Sequence, residues 1–262
     1  MKIKLIFMQL GLAFCALQLS AASMPCVYFS DCESKFSNYS SYCQEALNLK
    51  MLLPDGFVDQ ARAGHYAPKA KSGNLGKAVS FDAMAKSADG DCLLLLPDEK
   101  MNAYQHGSNK EFSCEKMILS DVYWSVKEVS PYYLYFFDNP PMVDLRKYVR
   151  EISAVQQKAD KAYLVTLPVN DTIEDVNYVG KVVLYAEKKG RMPISDVTML
   201  FTAAGWKNKQ KYVDAVLKCV GFGDKKDWTY DKELEQKLAD KYFAPYNEMV
   251  KRQNAESKAK KE

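Results

Sequence analysis

Beyond an N-terminal apolar run, the chain carries six cysteines: Cys26, Cys32, Cys43, Cys92, Cys114 and Cys219. No two of them form a C-x-x-C pair. The thiols are therefore spaced neither for dithiol redox chemistry nor for a zinc ribbon. An even set in an exported chain points to disulfides instead. Six cysteines allow 15 pairings. Cys92 opens an apolar run and Cys114 precedes another, with a polar stretch between them. That arrangement predicts a Cys92–Cys114 bridge, with at least one more within Cys26, Cys32 and Cys43.

The other chemistry-bearing residues are sparse. There are two histidines, His65 and His106, both in polar, glycine-containing stretches. Neither the nucleophile elbow G-x-S-x-G nor H-E-x-x-H occurs. "SCEK" (113–116) has the S-x-x-K spacing of serine acyl-transferases, but no S-D-N or K-T-G follows it. "GNLGK" (73–77) has two residues where a phosphate loop needs four, and Ala78 follows its lysine. "GFG" (221–223) starts like a dinucleotide fingerprint, but Lys226 occupies its third glycine position. "SADGDC" (87–92) has too few spaced carboxylates for a calcium loop. No catalytic residue, metal or cofactor is expected on these grounds. The densest feature is "PYYLYFFDNPP" (131–141). Tyr133, Tyr135 and Phe137, with Tyr123 from a neighbouring strand, are the expected binding surface. Aromatic rings give large contact area at low entropic cost. The same pattern also fits a strand packed on both faces.

These residues need elements to position them. Residues 30–53 read as helical, with Cys43, Ala46, Leu47 and Met51 on one face and Pro54 closing the segment. "GHYAPKAKSGNLGK" (64–77) reads as loop, and "FDAMAKSA" (81–88) as a short helix ended by Gly90. "CLLLL" (92–96), "DVYWSVKEV" (121–129), "YYLYFF" (132–137), "AYLVTL" (162–167) and "YVGKVVLYA" (178–186) read as strands. Helical spacing over 142–160 between two of these strands makes a partly parallel sheet the expectation. Residues 193–205 read as a helix capped by Ser195 and stopped by Gly205. Residues 208–223 read as another, stopped by Gly221. A third starts at Asp231. The fold class is therefore α+β, a mixed sheet flanked by helices in one domain over 24–250. That domain is helical to about residue 90, strand-rich over 91–190 and helical over 191–250. Residues 251–262 form a charged tail.

Compartment comes from the N-terminus. Lys2 and Lys4 precede the apolar run 5–19, and "SAAS" (20–23) supplies small residues for a peptidase. This is the pattern of a secretory signal peptide over 1–22. Its removal lowers the formal charge from +3 to +1, by two lysines. A near-neutral chain offers no electrostatic case for nucleic acid. No later run has membrane-spanning length. The sequence thus reads as an exported, periplasmic or secreted protein that binds a protein or envelope component without catalysis. Two alternatives stay open. One is an exported hydrolase of cell-wall or nutrient polymer that uses carboxylates. The other is a periplasmic inhibitor or immunity-type protein.

Overall fold

A computed structural model describes residues 27–69, 77–98, 113–128 and 142–244. Its centre is an antiparallel sheet. The strands are β1 (Val27–Glu33), β3 (Phe57–Asp59), β4 (Arg62–Tyr66), β5 (Val79–Ser87), β6 (Cys92–Pro97), β7 (Val149–Ile152), β8 (Lys161–Ile173), β9 (Val176–Glu187) and β10 (Ile194–Phe201). Their spatial order is β1-β4-β5-β6-β10-β9-β8-β7, with β3 beside β5. Two short strands, β2 (Leu49–Met51) and β11 (Val220–Phe222), pair separately. The helices are α1 (Phe36–Leu47), α2 (Cys114–Lys127), α3 (Ala203–Lys207), α4 (Lys209–Cys219) and α5 (Lys232–Tyr242).

Side-chain alternation splits the core between the two sheet faces. Cys92, Leu94 and Leu96 of β6 join one cluster, and Leu93 and Leu95 join another. The first face is covered by α1, α4 and α5. Phe36, Tyr39, Tyr42 and Leu47 of α1 are all at most 2% exposed. Each such side chain contributes about 1.5–3 kcal/mol by burial. On the second face, the tip of the long β8–β9 hairpin folds over β4, β5 and β6. There Ile173 and Tyr178 meet Tyr66, Phe81 and Met84. The Tyr66 hydroxyl donates to Asp171 at 2.6 Å, and Arg62 pairs with Glu174 at 2.8 Å. Helix α2 fills the rest of this face, with Cys114, Ile118 and Val122 on Val165, Leu167, Val183 and Tyr185.

The α+β class stands, but several expected elements do not. Every strand pairing among the described residues is antiparallel. Residues 142–160 hold a 3-10 turn (Leu145–Lys147) and strand β7, so no helical crossover exists to make a parallel pair. Among the described residues up to 90, strand outweighs helix, with α1 as the single helix. Residues 81–87 belong to β5, where a bulge lets Phe81 and Ala83 face opposite sides. Residues 121–127 are helical. Alternation in "DVYWSVK" misleads because the stripe Cys114, Ile118, Val122 recurs every four residues, and Ser113 caps the helix by accepting from the Lys116 amide. Residues 194–201 form a strand rather than a helix. The cap that follows is Thr202, not Ser195, and Gly205 sits inside α3 against the Asp91 backbone. Gly221 lies in β11 and does not stop α4.

The expected Cys92–Cys114 bridge is not formed. Both thiols are free and fully buried. Cys92 points into the helix-covered face, and Cys114 packs under α2 on the other face. A disulfide needs Cα atoms within about 7 Å, and the sheet stands between these two. Cys43 is buried in α1, and Cys219 is free at the end of α4. Cys26 and the side chain of Cys32 lie outside the described residues.

Candidate functional site

Charged side chains occupy unusual settings in two places. The first is beneath α2. Lys181 of β9 donates to Asp121 of α2 at 2.7 Å, and both side chains are 3% exposed. The Tyr185 hydroxyl donates to Asp196 at 3.1 Å and also lies 3.4 Å from Asp121. Asp196 in turn pairs with Lys77 at 2.8 Å. Asp196 has φ 57, a left-handed conformation uncommon for a residue with a side chain. It sits at the bulge where β10 slips register on β9. The bulge turns its carboxylate toward Tyr185 and Lys77.

The protonation states of this group follow from its setting. Burial pushes the Asp121 carboxyl up, but the charges of Lys181 and then Lys77, with hydrogen bonds from Lys181 and Tyr185, outweigh it. Its pKa is held below the usual carboxylate value. Burial, then the Asp121 and Asp196 charges, raises the Tyr185 phenol far above its usual range. Two cations thus meet two anions around a neutral phenol. Neither Asp121 nor Tyr185 is poised to gain or lose a proton near neutrality, so the group acts as a lock that fixes α2 on the sheet.

Among the described residues, the thiols of Cys92, Cys114 and Cys219 are similarly quiet. Burial pushes the Cys114 thiol up to about 12, helped by the Glu187 and Asp196 charges. Burial raises Cys92 further, and it raises Cys219 as well. Protonated thiols are poor nucleophiles. His65 lies on β4 with Nδ1 2.8 Å from the Ser80 hydroxyl. The two are cross-strand partners on an exposed part of the sheet. His106 lies outside the described residues. The S-x-x-K match is a helix cap, and the turn at 87–92 is a latch. Asp89 there accepts from Ser87, Lys211 and Tyr212, which hold its pKa well down. Asp91 accepts from the Thr202 hydroxyl at 2.6 Å.

The second place is open. A cleft of about 590 Å³ lies where the C-terminal end of α1 meets the β2–β11 ladder. That size falls within the range of ligand sites. Its construction starts at Asn48, which ends α1 in a left-handed conformation, φ 48. Asparagine tolerates that geometry better than most residues. Arg191 donates to the Leu47 and Asn48 carbonyls at 2.9 and 3.0 Å, placing a cation at the negative helix end. Its guanidinium stacks over Trp228 at 4.1 Å. The Gly223 amide donates to the Asn48 carbonyl at 2.7 Å, and the Asn48 side-chain amide donates to the Lys225 carbonyl at 3.1 Å. Gly223 abuts Asn48 so closely that a Cβ has no room. On the far side, the Phe222 amide donates to the Gln157 carbonyl at 2.8 Å, and the Gln157 side chain donates to the Leu217 carbonyl at 2.9 Å.

Those contacts hold a charged rim. Lys50, Lys158, Asp224, Lys225 and Glu45 line the cleft. Lys158 pairs with Asp224. Hydrogen bonding to Lys158 lowers the Asp224 pKa first; the Lys158 charge and then the Lys188 and Lys50 charges lower it further. Lys188 also lies 5.6 Å over the Phe222 ring.

The expected aromatic surface fares differently. Tyr123 lies in α2 and is 4% exposed, so it presents no ring to a partner. Tyr133, Tyr135 and Phe137 lie outside the described residues. Among the described residues, no helix is long and apolar enough to cross a membrane. Sequence reasoning missed the cleft because its residues come from three separate segments, 40–52, Lys158 and 222–225. The one local signal was "LNLK" (47–50), an asparagine interrupting an apolar helical pattern. In comparisons with known proteins, no family model, no curated protein and no solved structure matches this chain.

Proposed function

We propose that this chain is an exported protein that binds a component of the cell envelope or its surroundings without turning it over, using the α1/β2–β11 cleft. The observation that carries this reading is the contrast between the two charged places. The buried group under α2 spends its charges on itself, whereas the cleft presents charged side chains to solvent on a backbone pinned at Asn48, Gln157 and Gly223. Walls fixed before a ligand arrives lose little freedom on binding.

The signal-like N-terminus supports export. Free thiols are compatible with an oxidising compartment here, because burial keeps Cys92 and Cys114 protonated and out of reach.

Thermal-shift and calorimetric titration of the mature chain with soluble envelope fragments tests the reading, with mass spectrometry of the fragments afterwards. The expected result is a raised Tm and unchanged fragments, with binding lost on Gln44→Trp, which places a bulky ring in the cleft. Fragment cleavage that a single carboxylate substitution abolishes would show a hydrolase instead.

A further inference from the structure

We infer that the ligand of this cleft carries a phosphate group, an assignment that rests on the binding reading above. Asp224 is the guide. Three lysines, Lys158, Lys188 and Lys50, all act on its single carboxylate, and Lys225 lines the same cleft. Three lysines, Lys50, Lys158 and Lys225, thus line the cleft with two carboxylates, Asp224 and Glu45. With Asp224 swung aside, the three lysines exceed Glu45 by two positive charges, which matches a phosphate monoester at neutral pH.

The lysines retain capacity for it. An ammonium has three donors. Lys158 directs one to Asp224, and Lys50 directs one to the Lys218 carbonyl. The side chain of Asp224 is 86% exposed, so it can swing aside without leaving a buried charge behind. It occupies the position of the ligand's anion and competes with it. Lysine suits this role as a point charge that follows a mobile phosphate, where arginine would demand fixed fork geometry. The fixed guanidinium in the neighbourhood, Arg191, is committed to the Leu47 and Asn48 carbonyls.

The competition sets opposite signs on two substitutions. Asp224→Asn removes the rival carboxylate and should tighten phosphate binding. Lys158→Gln and Lys50→Gln each remove one cation and should weaken it about fivefold at low salt. The probes are inorganic phosphate, glycerol 3-phosphate, and vesicles of phosphatidylcholine with or without phosphatidylglycerol, with calorimetry for the soluble probes and sedimentation for the vesicles.

Soluble phosphates that bind with these opposite signs support a soluble phosphorylated ligand. Binding confined to the phosphatidylglycerol vesicles, with the same signs, supports a lipid headgroup. If Asp224→Asn weakens binding, or leaves it unchanged while the lysine variants also have no effect, the assignment is overturned. Envelope fragments that bind the wild type, fail on Gln44→Trp and ignore phosphate and all three charge variants would overturn the phosphate class alone. Absence of binding by fragments and phosphates alike would overturn the cleft reading with it.

Discussion

Replacing Lys181 with methionine should be among the most damaging single changes in this protein. The methionine fits the ammonium's space and keeps its apolar stem. It leaves Asp121 3% exposed, with the Tyr185 hydroxyl 3.4 Å away. Lys77, the next cation, is already engaged by Asp196. Stranding one charge of a buried pair costs about 3–5 kcal/mol, a large fraction of the 5–15 kcal/mol that holds a domain folded. The assay is urea denaturation of wild type, Lys181→Met, Asp121→Asn and the double variant, across pH. In the wild type, the folded Asp121 pKa lies below its unfolded value. The stability this supplies is present above about pH 4 and is lost as pH falls through the folded pKa. In Lys181→Met the sign reverses, because burial without Lys181 raises the folded pKa. That variant should recover relative to wild type as pH drops from 7 toward 4. The double variant should be more stable than Lys181→Met alone. A deficit below about 1 kcal/mol, or one that widens on acidification, would refute the claim that this pair is a buried lock.

Three further outcomes are expected. Gly223→Ala should lower stability by about 1–3 kcal/mol and weaken ligand binding together, because its methyl group displaces Asn48; chemical denaturation and titration check it. A thiol reagent at neutral pH should label Cys219 slowly in the native protein and leave Cys43, Cys92 and Cys114 unlabelled until denaturant is added, since these three are fully buried; peptide mapping locates the label. Protein recovered from its native host should have an intact mass lacking residues 1–22 or 1–23, and retention of the full N-terminus would refute export.

Legibility followed the range of the signal. "CLLLL", "AYLVTL" and "YVGKVVLYA" read correctly because a fully apolar run or a long alternation is local. Asp231 announced α5 because a cap acts within three residues. "DVYWSVK" failed because its β-branched and aromatic residues favour a strand intrinsically, while burial against β8 and β9 pays for a helix. "PISDVTMLF" failed in the opposite direction: its spacing suits a helix face, but β6 and β9 claim it as their shared neighbour. The candidate site was less legible still. Nothing in the local pattern around Lys50, Lys158, Lys188 and Asp224 distinguishes them from ordinary surface charges. Their meeting depends on the β2–β11 ladder, whose two strands of three residues lie at opposite ends of the chain.

The position of β10 between β6 and β9 also constrains when the protein can fold. β6 (Cys92–Pro97) and its partner β10 (Ile194–Phe201) are separated by about a hundred residues. Until β10 arrives, the β1–β6 part has an open edge at "CLLLL", and face-covering α4 and α5 are still to come. Pairings between such distant segments close slowly. A chain made from its N-terminus therefore keeps this edge open until residues 194–201 have been made, which favours the threadable state a translocation channel requires. The same delay leaves an apolar strand edge exposed in the meantime, so a holding chaperone that shields residues 92–97 should raise the yield of folded protein.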